Sequence, residues 1–278
     1  MRRVVLLLVV LVLAGGGYWL ARTWMAPAVP NQSLRPLTSA EQAQILPQIC
    51  AGASAGSNGY AHNCTGLPGY PSDDYGGAGL GLGITLTSIA AGQLTGLAEN
   101  EAYVSYQGSF ESHATNFGGG ILFKADGTGG WRLEKWYPGD SLDSCLSLSL
   151  QGQARFLCLR GFTGQGETDT TLAIVQVPDS VKTVLAATDL RDTLQPEANC
   201  ALLNSSAQGV LLGIDHLHRT ATGFAVQIDY VPADAASKAC AAHAFATAPP
   251  QTATLGLTPD GDDFTISPSL SFAPAETQ

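Results

Sequence analysis

The sequence predicts an all-β fold of repeated antiparallel meanders, small-propeller-like or a sandwich, after an N-terminal membrane helix and one short soluble helix. Three observations predict it. Strand-like runs recur from residue 84 to residue 266, separated by turn clusters such as Asp126-Gly127-Thr128-Gly129-Gly130. The unit that starts at Cys145 has the rhythm of the one that starts at Cys200, 55 residues later. In each, a Gln-Gly turn follows the cysteine and a Val-Pro step comes later. Outside the leader, only residues 38–49 carry clear helix signals.

The chain opens with Met1-Arg2-Arg3 and an uncharged run over residues 4–21. Eighteen residues of helix span about 27 Å, close to the hydrocarbon thickness of a bilayer. Trp19 and Trp24 suit a membrane–water boundary, so residues 1–25 read as an anchor with the body outside the cytoplasm. A signal peptide cleaved near Ala26-Pro27-Ala28 is the alternative. Residues 26–36, with three prolines, read as a tether.

Residues 37–83 read as a short helix and a disulfide-stapled loop. Thr38 or Ser39 can cap the helix, Glu41 sits in its first turn and Pro47 limits it. Residues 50–83 are rich in glycine, proline and serine. Residues 84–272 read as the β domain. Its strands are expected at 84–89, 102–110, 120–124, 131–137, 145–150, 155–162, 171–177, 183–187, 201–203, 210–218, 224–231, 252–257 and 263–266. Some 190 residues supply only three and a half to four blades of about 40–50 residues, which leaves closure of a propeller open. Residues 273–278 read as a frayed tail.

All six cysteines lie beyond the apolar segment. An even count after an export signal implies disulfides and an oxidising compartment. A two-residue turn at Gln151-Gly152 sets Leu150 opposite Gln153 and Cys145 opposite Cys158. That cysteine pair falls on a non-hydrogen-bonded position, where Cα atoms approach to about 4.5 Å, within disulfide range. Cys50 with Cys64 and Cys200 with Cys240 is then the simplest remaining pairing.

The net charge is −10, and removal of the acid-free first 22 residues leaves 10 basic and 23 acidic residues. Such a body repels phosphate backbones, so nucleic acid is excluded as a general partner. No motif for a cofactor stands out. The glycines over residues 76–83 neither follow a strand nor open a helix, against a dinucleotide loop. Gly52-Ala53-Ser54-Ala55-Gly56 fits the nucleophile-elbow pattern but lies in a small-residue loop rather than on a strand-to-helix turn.

His216 and His218 form H-x-H on an expected strand. Alternation puts both imidazoles on one face, able to bind Zn²⁺ or Cu²⁺, with His113 or Glu111 as a third ligand from a comparable loop. Glu167 occupies the corresponding place in the middle unit. Trp131 and Tyr137 share one face of their strand, and Trp136 faces the other way. One face is core. The other leaves Trp136, with Glu111 and Glu167, as a surface for an extracytoplasmic protein or glycan. The leading expectation is a non-catalytic binding or assembly module at the cell membrane. The alternative is an extracytoplasmic hydrolase or metal-binding protein using the His113, His216 and His218 loops.

Overall fold

Alternating apolar and polar residues fold into three antiparallel sheets, each made of strands consecutive in the chain. The computed structural model describes residues 34–52, 59–72, 82–95, 100–108, 110–111, 117–150, 153–164, 166–177, 180–203, 207–270 and 272. The leader, the G-x-S-x-G serine and His113 lie outside the described residues. Among the described residues, no helix is long and apolar enough to cross a membrane.

Helix α1 (Ser39–Ile49) starts as its sequence dictates. The Thr38 hydroxyl accepts from the Glu41 amide, and the Glu41 carboxylate accepts from the Thr38 amide, closing a capping box. Pro47 does not end the helix; it lies inside, and the helix continues to Ile49. Ile45, Leu46 and Ile49 form its buried stripe.

The first sheet runs β1 (Tyr60–Cys64), β2 (Leu82–Gly92), β3 (Glu101–Gly108), β4 (Gly118–Ala125) and β5 (Trp131–Pro138) in spatial order. Strand β1 lies in the stretch expected to be irregular; it pairs with β2, and Cys64 bonds to Cys50 at the end of α1. The second sheet runs β6 (Cys145–Leu150), β7 (Gln153–Gly164), β8 (Glu167–Gln176) and β9 (Ser180–Asp189). The third runs β10 (Gly209–Arg219), β11 (Phe224–Pro232), β12 (Gln251–Asp260) and β13 (Asp263–Ser267). Residues 201–203, expected as a strand, instead form the end of a 3-10 helix, Pro196–Leu202, and its C-cap, Leu203. Proline in its first turn favours that helix, and the Cys200–Cys240 bond ties it to α2 (Ala233–Ala241). Helix α2 follows Pro232 directly and is half alanine, a composition with high helix propensity.

The three sheets stack. Period-2 alternation gives the middle sheet two apolar faces. Leu148, Leu157, Leu172 and Ile174 meet Leu211, Ile214, Val226 and Leu255 of the third sheet. Ala154, Phe156, Cys158 and Val175 meet Ala90, Tyr103 and Leu122 of the first. The outer face of the first sheet, with Val104, Ile121 and Phe123, is covered by α1. That of the third, with Val210, Leu212 and Val231, is covered by α2 and Phe245. Among the described residues, no core cluster joins the first sheet to the third, so the meanders form an open stack rather than a closed ring.

Register follows the hairpin arithmetic. Leu150 pairs with Gln153 and Cys145 with Cys158, and the cysteines are bonded with a Cα–Cα distance of 4.0 Å. With Cys50–Cys64 and Cys200–Cys240, the three bridges leave no free cysteine. A β fold stapled in this way suits an oxidising, extracytoplasmic compartment.

Candidate functional site: a cleft between the first two sheets

The apolar seam between the first and middle sheets stops part-way along the strands. On β7 the row facing the first sheet runs Ala154, Phe156, Cys158, then Arg160 and Phe162. On β8 the matching row runs Val175, Ala173, then Thr171, Asp169 and Glu167. Opposite, β3 runs Tyr103, Ser105, Gln107, and β4 runs Leu122, Gly120, Gly118. Both sheets thus change from apolar to polar or side-chain-free at the same level. Water-excluding contact gives out there, and a cleft of ≈ 410 Å³ opens. Its lining includes Gln107, Asp143, Arg160, Phe162, Asp169 and Thr171.

Glycines shape one wall. A Cβ on Gly120 would lie 2.1 Å from the Tyr103 ring, which covers that position. The Tyr103 hydroxyl donates to the Asp140 carbonyl at 2.8 Å and so anchors the link that follows β5. Leu142 of this link is buried, and its amide donates to the Ser105 hydroxyl at 2.9 Å.

Charges in the cleft are held by short bonds. The Arg160 guanidinium donates to the Asp140 carboxylate at 2.5 Å and to the Gly139 carbonyl at 2.8 Å. Asp143 accepts from the hydroxyls of Thr87, at 2.6 Å, and Ser88, at 2.8 Å. A bulge in β2 at Thr87 accounts for successive residues reaching the same carboxylate. Asp169 accepts from the Thr188 hydroxyl at 2.6 Å. Among the described residues, no cationic side chain is bonded to Asp143 or Asp169.

The residues singled out in the sequence are distributed differently. Trp136, expected at the surface, is 3% exposed and part of the core beneath α1. The cause is a bulge between the Leu122–Lys135 and Phe123–Leu133 pairs, which shifts the phase of β5. Trp131, Leu133 and Trp136 therefore all join the α1 side, and Tyr137 the other. The Trp136 ring N–H donates to the Pro68 carbonyl at 2.9 Å. Glu111, also expected at the surface, is buried, and its carboxylate accepts a short bond from the Tyr106 hydroxyl. Burial first, and this acceptor second, push the Tyr106 phenol far above its ordinary range, so it stays a donor. Glu167 is half-buried at the start of β8, on the face that carries Asp169.

His216 and His218 are both exposed at the end of β10. A bulge between Asp215 and His218 interrupts the expected alternation, and His216 has a left-handed φ of 50°. The His218 Nδ1 lies 2.8 Å from the His216 carbonyl, which can only accept, so Nδ1 is the donor of this bond. No group of three His, Cys, Asp or Glu side chains is gathered for a metal among the described residues. Arg160 and Phe162 went unrecognised in the sequence because β7 is apolar on both faces from Phe156 to Leu159, which hides the face on which polarity begins.

No protein-family model matches the chain, and comparison with curated proteins and with solved structures gives no match either.

Proposed function

We propose that this is an extracytoplasmic binding module, held at the membrane by residues 4–21, that takes its ligand in the cleft between the first and middle sheets. One observation carries the reading: two facing sheets give up apolar packing at the same level and line the gap with polar side chains. In a packed sandwich the inner faces interdigitate to form the core, and here that packing stops part-way along long strands. The disulfides support an oxidising setting, and the open-ended stack leaves the cleft accessible. The charged groups lining it are already held by hydrogen bonds to neighbouring residues, which favours holding a ligand over activating a nucleophile.

A melting-temperature panel on the full chain tests this, using peptides, oligosaccharides, peptidoglycan fragments and polyamines. A ligand at 100 times its Kd adds about 2.7 kcal/mol. Gln107→Trp, at an exposed cleft position, is expected to abolish the shift while leaving the unliganded melt unchanged. A shift that survives this substitution, or no shift with any compound, would overturn the cleft as the binding site. Recovery of the full chain in the soluble fraction after lysis would remove the anchor.

A further inference from the structure

We infer that the cleft selects an organic cation, an amine or guanidinium group, carried by a free polyamine or by a basic peptide side chain. The inference rests on the reading of the cleft as the binding site and adds the class of ligand. Three observations carry it.

The first is charge. Arg160 is the cation among the described lining residues, and its Nη2 donates to the Asp140 carboxylate, which offsets its charge, and to the Gly139 carbonyl. Among the described residues, Asp143 and Asp169 accept only from neutral hydroxyls, of Thr87, Ser88 and Thr188. Counting Asp140 against Arg160, the cleft keeps two uncompensated carboxylates. A hydroxyl donor fixes such a group without neutralising it, so each presents a charged acceptor to the opening. Glu167 extends the same row beyond Asp169.

The second is an exposed aromatic ring. Phe162 is 37% exposed, unlike the Phe156 of its own row, which is fully buried. It pairs across the strands with Asp169, which brings ring and carboxylate side by side on one face. A ring face next to a carboxylate is a favourable surround for an alkylammonium or a guanidinium. The third is the field of the whole body, with 23 acidic against 10 basic residues beyond the leader. This field concentrates cations at a cleft of its own sign and turns anions away.

Calorimetric titration of the full chain tests the inference with three probes: spermidine, an end-blocked tetrapeptide containing Lys-Lys, and maltotriose. Binding of spermidine or the peptide is expected, weakening steeply with added salt. Asp143→Asn and Asp169→Asn keep an oxygen for the hydroxyls and should each weaken it about tenfold, the scale of a charge-assisted hydrogen bond. Phe162→Ala, at an exposed site, should weaken it several-fold, and Gln107→Trp should abolish it. The tighter of the two cationic probes identifies the source of the ligand. The salt dependence of the unaltered chain and the Phe162 variant remain readable if a carboxylate variant fails to fold. Maltotriose binding lost in Gln107→Trp, without cation binding, would overturn the cation class and leave the cleft as the site. Cation binding indifferent to salt and to both asparagine substitutions would overturn it as well.

Discussion

Glu41 shows how one side chain can serve two structures. Its carboxylate closes the capping box with Thr38 and also receives the Arg35 guanidinium at 2.6 and 2.8 Å. The Arg35 bonds are the main cause, with burial opposing and Thr38 assisting, that lowers the Glu41 carboxyl to about 2. A folded-state value below the unfolded one gives stability that is present above the ordinary glutamate range. It is lost as the pH falls from about 4.5 through about 2. Glu41→Gln should therefore flatten this part of the pH–stability curve in urea titrations. The pair is partly exposed, so the difference should stay below about 1 kcal/mol and shrink in high salt.

Elements are held by devices that act on whole strands. The edge of β5 is closed by a single side chain of α1: the Gln48 amide donates to the Trp131 carbonyl at 2.7 Å and accepts from the Leu133 amide at 3.0 Å. An exposed strand edge is thereby given a partner that a second chain would otherwise supply. The disulfides act on loops of unequal length. Cys145–Cys158 spans 13 residues of one hairpin, while Cys200–Cys240 spans 40 and joins a 3-10 helix to α2. Loop-closure entropy grows with the logarithm of length, so removing the longer bridge should cost about 1 kcal/mol more. Paired Cys→Ala variants compared by chemical denaturation would check this; equal losses would contradict the entropic account.

At the scale of the whole molecule, apolar faces hold the stack and charges trim its edges. The turn of the third sheet reaches the middle sheet through Arg155–Asp262 at 2.6 Å and Lys182–Asp263 at 2.7 Å. The two bridges differ in setting. The Arg155 side chain is only 16% exposed and its Nε has no hydrogen-bond partner among the described residues, whereas both Lys182 and Asp263 are open to solvent. Asp262→Ala should cost about 1–2 kcal/mol by stranding a half-buried guanidinium. Asp263→Ala should stay within about 0.5 kcal/mol. Denaturation midpoints of the two variants separate these outcomes, and equal effects would mean that the setting of Arg155 does not matter.

The amino-acid order by itself determined what depends on neighbours in the chain. Turn chemistry at Asp126-Gly127 and Gln151-Gly152, the capping signal at Thr38 and the count across the second turn yielded the hairpins, α1 and the Cys145–Cys158 bond. The tertiary structure alone decided what depends on phase and on facing partners. A bulge of one residue moved Trp136 from surface to core, because side chains alternate with a period of two and any insertion inverts the rest of the strand. The cleft arises only where polar rows on separate sheets come level. Arg160 and Gln107 lie far apart in sequence, and nothing local to either shows that they will line one opening.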